Sequence, residues 1–329
     1  MFKYICKRIL LLIPILLGVT LLVYIGMDLA QGSYVDTLIT DEMTDVMIAE
    51  LREAYGENDP VLLKYVKYIW GLLHGDLGVS YTTNTPVFGL FLQRIPVTTK
   101  LAIASTIVCY IIALPLGIAA AKRPGTLVDN ACNVLGVVGL ATPNFWLGLM
   151  LIVLFGVKLG WLPTYGDDKW YCYILPAFTI GTGQTAGLMR VTRSSLLEAL
   201  HMDYLRTARA KGVSEKKVVN KHALKNAAIP ILNVALGILA GNFAGALLTE
   251  QVFAMSGIGR VIVDATNQRD IPLACGFLVM KCIIISILGT VTDLVYVAVD
   301  PRVKSMYVSD KRKKKNNKED SNNVKAKAA

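Results

Sequence analysis

Residues 9–27 read ILLLIPILLGVTLLVYIGM, nineteen positions without a charge. A helix needs about 20 predominantly apolar residues to cross a hydrocarbon core about 30 Å thick, and this run has that length. Lys3, Lys7 and Arg8 precede it and small residues follow near Ala30, as in a secretory signal. The apolar core of a signal is usually about 7–15 residues, however, so an uncleaved first helix is expected. Four more runs, 101–121, 130–157, 170–189 and 226–249, are equally free of charge, and 272–299 holds only Lys281 and Asp293. Six such runs in one chain set aside a soluble core and predict an all-α polytopic membrane protein with about six transmembrane helices.

Composition agrees. Of 329 residues 54% are apolar and 18% charged, against roughly 45–50% and about 25% in soluble proteins. The net charge of +10 resembles a nucleic-acid footprint until its placement is read. Lys and Arg favour the cytoplasmic side of membrane spans. With the N-terminus inside, the cytoplasmic pieces 1–8, 122–129, 190–225 and 300–329 hold 24 of the 34 Lys and Arg. Cytoplasmic N- and C-termini follow, and no nucleic-acid partner is expected.

The chain divides accordingly. Residues 1–30 form the N-terminus and first span, 31–100 an extracytoplasmic segment, 101–302 a five-helix core, and 303–329 a basic, solvated tail drawn to anionic membrane lipid. In the outer segment Val61, Leu62, Tyr65, Ile69, Leu72 and Leu73 recur at helical spacing. A turn at Thr83-Asn84-Thr85-Pro86 precedes a short helix expected to end near Arg94. The six cysteines include no CxxC, His74, His201 and His222 make no ligand spacing, and no metal site is expected. The chain has no G-x-x-x-x-G-K-[ST], so it has no such cradle for ATP phosphates. Gly181-Thr182-Gly183 reads as close helix packing.

The loop at about 190–226 is the most informative piece. Leu197, Leu200, Tyr204, Leu205 and Ala208 share one face of a helix. Gly212 suits a C-cap and Ser214 the N-cap of a second helix opening at Glu215. Such an element either lies on the membrane surface or docks against a partner. The run Asp203-Tyr204-Leu205-Arg206-Thr207-Ala208-Arg209-Ala210-Lys211-Gly212-Val213-Ser214-Glu215, with His222 and Pro230 after it, resembles the EAA loop of binding-protein-dependent importer permeases. Its form is that of the dipeptide, oligopeptide and nickel permease family. The general Glu-Ala-Ala triplet is here Arg206-Thr207-Ala208, and the first Pro expected after Gly212 is Lys225, departures that match the peptide branch.

Other stretches carry the same resemblance: His74-Gly75-Asp76-Leu77-Gly78, Thr142-Pro143-Asn144-Phe145-Trp146, Leu159-Gly160-Trp161-Leu162-Pro163, Glu250-Gln251-Val252-Phe253 with Gly257-Ile258-Gly259-Arg260, and Asp300-Pro301-Arg302. The resemblance implies the type I ABC importer permease fold, a multi-pass protein of the bacterial inner membrane and no catalytic residues. It also implies a second homologous permease chain, two cytoplasmic ATPases that use ATP and Mg, and an external solute-binding protein. No cofactor is expected on this chain. Helix 204–212 would seat in an ATPase, and Gly212→Asp or a bulky residue at Ala208 would abolish transport without preventing insertion.

Asn144, Trp146, Gln184 and Lys281 are candidate pathway residues, and Glu250, Phe253, Gly257 and Gly259 a candidate outer gate. Lys281 is costly inside a membrane and functional by default. The alternatives are that it snorkels outward or meets water in the pathway. Asp293, 12 residues on, is about 18 Å away along a helix and is expected to make a structural contact elsewhere. Peptide is the expected cargo, with nickel chelates or glutathione-like compounds as alternatives. A secondary transporter would need more intramembrane carboxylates, and an intramembrane enzyme would need a catalytic cluster.

Overall fold

The computed structural model describes residues 2–30 and 32–299. The Asp300-Pro301-Arg302 exit and the basic tail lie outside the described residues. Within them the chain is helical, and the only strand-like pairing is one isolated bridge between Val79 and Pro86.

α1 (Phe2–Leu29) holds the first apolar run, with Pro14 inside it. α2 (Asp45–Ala54) and α3 (Val61–Leu73) build the segment before the next long helix, α2 starting where the Thr44 side chain accepts from the Met47 N–H. That helix, α4 (Val87–Lys122), corrects one expectation. The short helix thought to stop near Arg94 runs on through Pro96 and Pro115. Proline's fixed φ is itself helical, and the backbone groups it frees can be satisfied by neighbouring helices. At 36 residues and 1.5 Å each, α4 is about 54 Å long, more than a bilayer core requires.

The run at 130–157 is not one straight helix. α5 (Leu127–Ala141) gives way at Thr142 to α6 (Asn144–Leu151), which widens into a π-helix at Ile152–Lys158. The two pieces meet at 98°. Pro143 is the cause: it drives the preceding Thr142 out of the helical region, to φ −78° and ψ 120°.

α7 (Ile174–Leu200) lies along α4 and overruns the expected inner edge of its span at Arg190. A Cβ at Gly181 of α7 would come within 2.8 Å of the Ser105 carbonyl, and one at Gly117 of α4 within 2.8 Å of the Met189 carbonyl. The glycines therefore let two backbones touch. The remaining elements are α8 (Asp203–Ala210), α9 (Glu215–Lys217) leading through a π-helical stretch into α10 (Leu224–Gly245), α11 (Leu247–Val252), α12 (Ile258–Asn267) and α13 (Ile271–Val299). α1 packs on α13, and α10 on α4, α7 and α13.

Among the described residues four helices are long and apolar enough to cross a membrane, or five if the bent α5–α6 pair counts as one span. The expected count of about six differs because α7 does not qualify. A helix buried on other helices meets protein rather than lipid, so its Gly, Thr and Gln residues lower its hydropathy. Arg8 of α1 pairs with Asp293 of α13, which supplies the structural contact expected for Asp293.

Candidate functional site

Two polar regions stand out, and α4 touches both. The first is the loop after α7. The apolar stripe from Leu197 to Ala208 is split between two helices, because α7 ends at Leu200 and α8 begins at Asp203. α8 is attached chiefly through Leu205, which is fully buried. Leu205 belongs to one cluster with Ala120 and Ala121 of α4, Leu196 and Ala199 of α7, and Val218, Val219 and Ala223 before α10, with Ala208 and Val213 packed at its edge.

The loop closes as its sequence indicates. Gly212 sits at φ +77°. The Val213 N–H donates to the Ala208 carbonyl at 3.2 Å and the Gly212 N–H to the Arg209 carbonyl at 2.9 Å, a Schellman motif with glycine in the left-handed position. Arg209 grips Glu215 with two hydrogen bonds of 3.1 and 2.9 Å. The Arg209 guanidinium holds the Glu215 carboxyl below the usual range. Asp203, Tyr204, Arg206, Thr207, Ala210 and Lys211 remain exposed, and the half-buried His222 and the exposed Pro230 follow toward and within α10.

A second ion pair braces the base of this loop. Arg193 of α7 donates to both oxygens of Asp129 in α5, at 2.5 and 2.6 Å, and Asp129 also accepts from the Gly125 N–H at 2.9 Å. Sequence reasoning missed this pair. Its only trace is an acidic residue opening an apolar run next to a basic turn.

The second region is centred on Glu250, whose side chain is fully buried. Thr98 of α4 donates to one carboxylate oxygen at 2.6 Å, and the Arg260 N–H to the other at 3.1 Å. The Ile258 N–H donates to Thr98 Oγ1 at 2.8 Å. The Glu250 carboxyl group therefore sits at the N-terminus of α12, where free N–H groups and the helix dipole favour negative charge, against the burial that pushes its pKa up. A Cβ at Gly257 would collide with the carboxylate, and one at Gly259 would meet both it and the Leu247 backbone. Those two glycines form a collar for Glu250.

Lys281 of α13 is 9% exposed and interacts electrostatically with Glu250. Most of its side chain is packed inside the helices. Asn144 abuts α7 at Gly183, where an added Cβ would approach its side chain to 2.8 Å, while Trp146 and Gln184 are exposed. Phe253 is buried one layer away, its ring against Gly148 of α6. Thr98 was not anticipated, because 152 residues separate it from Glu250.

Fold and polar regions together define a helical multi-pass membrane subunit that presents a structured loop. Residues 113–305 match the family model described as "Binding-protein-dependent transport system inner membrane component". The oligopeptide transport system permease protein AppB of Bacillus subtilis is 38% identical over 315 residues, covering 92% of this chain and 99% of that protein. The glutathione transport system permease protein GsiC of Salmonella paratyphi A is 37% identical over 307 residues, at the same coverage. A chain of the inward-facing MetNI methionine ABC transporter superposes with a TM-score of 0.55 at 20% identity, over 64% of this chain and 97% of its own, a likeness of fold. The chain belongs to the binding-protein-dependent permease family. It is an inner-membrane permease subunit of an ATP-binding-cassette importer, a system in which permeases work with ATPases and binding proteins.

Proposed function

We propose that the chain forms half of a translocation pathway for peptides, paired with a second homologous permease, two cytoplasmic ATPases and an external solute-binding protein. ATP and Mg act on the ATPases. The loop with α8 lies on the cytoplasmic side, as the distribution of Lys and Arg supports, and α8 is the part the ATPases push.

One observation carries the coupling role: α8 is anchored on one side by Leu205 and open on the other. Leu205 is buried in the cluster shared by the ends of α4 and α7 and the π-helical stretch before α10, so a displacement of α8 is passed to these helices through that cluster. Nucleotide then biases a two-state element, with the energy supplied from outside the chain. Glu250, Gly257 and Gly259, with Phe253 beside them, hold the opposite region as an outer gate, and Asn144, Trp146 and Gln184 face the pathway or the second permease. Peptide cargo is supported by AppB, whose name specifies oligopeptides, and GsiC keeps glutathione as a second reading.

The test is uptake into proteoliposomes holding the complete assembly, its binding protein and ATP. Labelled oligopeptide accumulates, and excess unlabelled peptide competes better than glutathione or a nickel chelate. Accumulation of glutathione or a nickel chelate with no peptide uptake would refute the peptide reading.

A further inference from the structure

α3 is apolar on two sides. On one, Tyr65, Tyr68, Ile69 and Leu72 form a cluster with Tyr24 of α1 and with Ile271 and Cys275 of α13. On the other, Leu62, Leu63, Val66, Trp70 and Leu73 are exposed, and at 3.6 residues per turn they share one arc of about 100°. No polar residue interrupts that arc. Lys64 and Lys67 stand on one flank of it, held by the turn before the helix: Lys64 donates to the Glu57 carbonyl at 2.9 Å, and Lys67 pairs with Asp59 at 2.5 Å. The second apolar face is the reverse of what a helix on a water-soluble surface presents.

The depth of α3 indicates what covers this face. The Tyr65 hydroxyl donates to the Leu17 carbonyl of α1 at 2.8 Å, and the Tyr24 ring lies 5.8 Å from Tyr65 and 5.6 Å from Tyr68. The apolar span of α1 runs from Cys6 to Leu29. At 1.5 Å per residue Leu17 is about 18 Å below Leu29, and Tyr24 about 8 Å below it. A hydrocarbon core about 30 Å thick has its centre about 15 Å down. α3 therefore lies at the level of Tyr24, and the Tyr65 hydroxyl reaches mid-bilayer. Leu22 and Ile25 on the same stretch of α1 are exposed as well, so the outward face of α3 continues a surface that meets lipid. A soluble partner would have to reach it beneath the headgroups.

We propose that α3 is embedded in the leaflet on the Leu29 side of α1, the outer one in the orientation given above, with Leu62, Val66 and Leu73 against phospholipid acyl chains. Trp70 marks the headgroup boundary, where tryptophan is enriched; its ring lies 4.8 Å from that of His74, at the polar end of the helix. A helix of this kind sits about 5–10 Å into the boundary, the depth that the contacts with Tyr24 give. The segment between α1 and α4 is thereby seated in the membrane, and α3 links lipid to α1 and α13. The inference is independent of the cargo.

The experiment uses the complete permease–ATPase assembly in nanodiscs of phosphatidylethanolamine and phosphatidylglycerol, with and without its solute-binding protein. The photoreactive amino acid p-benzoylphenylalanine replaces Val66, and adducts are identified by mass spectrometry after irradiation. Phospholipid is the adduct in both samples. Attachment to the solute-binding protein or to the second permease instead, or the lack of any phospholipid adduct, overturns the proposal. Trp70 gives a second reading, as the emission that the parent shows and Trp70→Phe lacks. Lipid brominated on its acyl chains removes most of that emission. If it persists undiminished in brominated lipid, α3 stands clear of the acyl chains and the proposal fails.

Discussion

The loop around α8 and the cluster around Glu250 use charge in opposite ways. In the loop the charges face outward and one apolar side chain, Leu205, faces in. In the cluster the Glu250 and Lys281 side chains are buried, and two glycines make room for Glu250. Thr98 of the cluster and Ala121 beneath the loop are both on α4, about 34 Å apart at 1.5 Å per residue. The difference separates two jobs. An element that meets a partner keeps its polar groups free and depends on one anchor, whereas an element that fixes helices against each other consumes its polar groups internally.

The comparison can be broken most forcefully at Glu250. Removing the Glu250 side chain leaves the Thr98 hydroxyl and the Arg260 N–H without their buried acceptor, at about 1–3 kcal/mol each. Glu250→Leu should therefore lower the melting temperature sharply in detergent, and Glu250→Leu combined with Lys281→Leu should recover part of the loss. Additive losses would mean that the two residues do not interact. Leu205→Ala comes next, at about 2–5 kcal/mol for an emptied apolar site. Because that site seats α8 in the cluster shared with α4, α7 and the stretch before α10, ATP hydrolysis should continue while uptake falls, seen by assaying both on one preparation.

Gly212→Ala is smaller. No neighbour lies within 4 Å of an added Cβ, so the cost is the left-handed backbone alone, about 1 kcal/mol. If Gly212→Asp abolishes transport at normal expression, the added side chain must act at the partner's surface. Smallest is Arg209→Ala. The Arg209–Glu215 pair is exposed and such pairs contribute little, so melting should not shift resolvably. The Glu215 carboxyl lies below its usual range, so the pair's contribution is present above the unfolded-state pKa and disappears as pH falls through the lowered value. An NMR titration of the Glu215 carboxyl checks the sign, its pKa rising in Arg209→Ala relative to the parent.

The sequence revealed these regions unequally, for a physical reason. The loop is built from contacts a few residues apart, so Gly212 announces its turn directly and Ser214 marks the start of α9, although the Ser214 side chain makes no capping hydrogen bond. The Glu250 cluster is assembled from α4, α11, α12 and α13, and nothing local pairs Thr98 or Lys281 with Glu250. Gly257 and Gly259 were visible as a motif, but their collision with a carboxylate requires coordinates. The long apolar runs gave the helices, yet Pro143 bends one of them, and α7 is too polar to qualify as a span because it is shielded from lipid.

The central claim is that the exposed face of α8 holds the ATPases while Leu205 holds α8. The direct measurement is purification of the tagged chain in mild detergent from native membranes, as parent and as Tyr204→Arg, with every co-purifying chain quantified. Tyr204 is 40% exposed, so the substitution leaves the Leu205 anchor in place. The account predicts that the second permease is recovered equally from both and that the ATPases are lost from Tyr204→Arg. Parental recovery of the ATPases with Tyr204→Arg, or no ATPase with either, would contradict it.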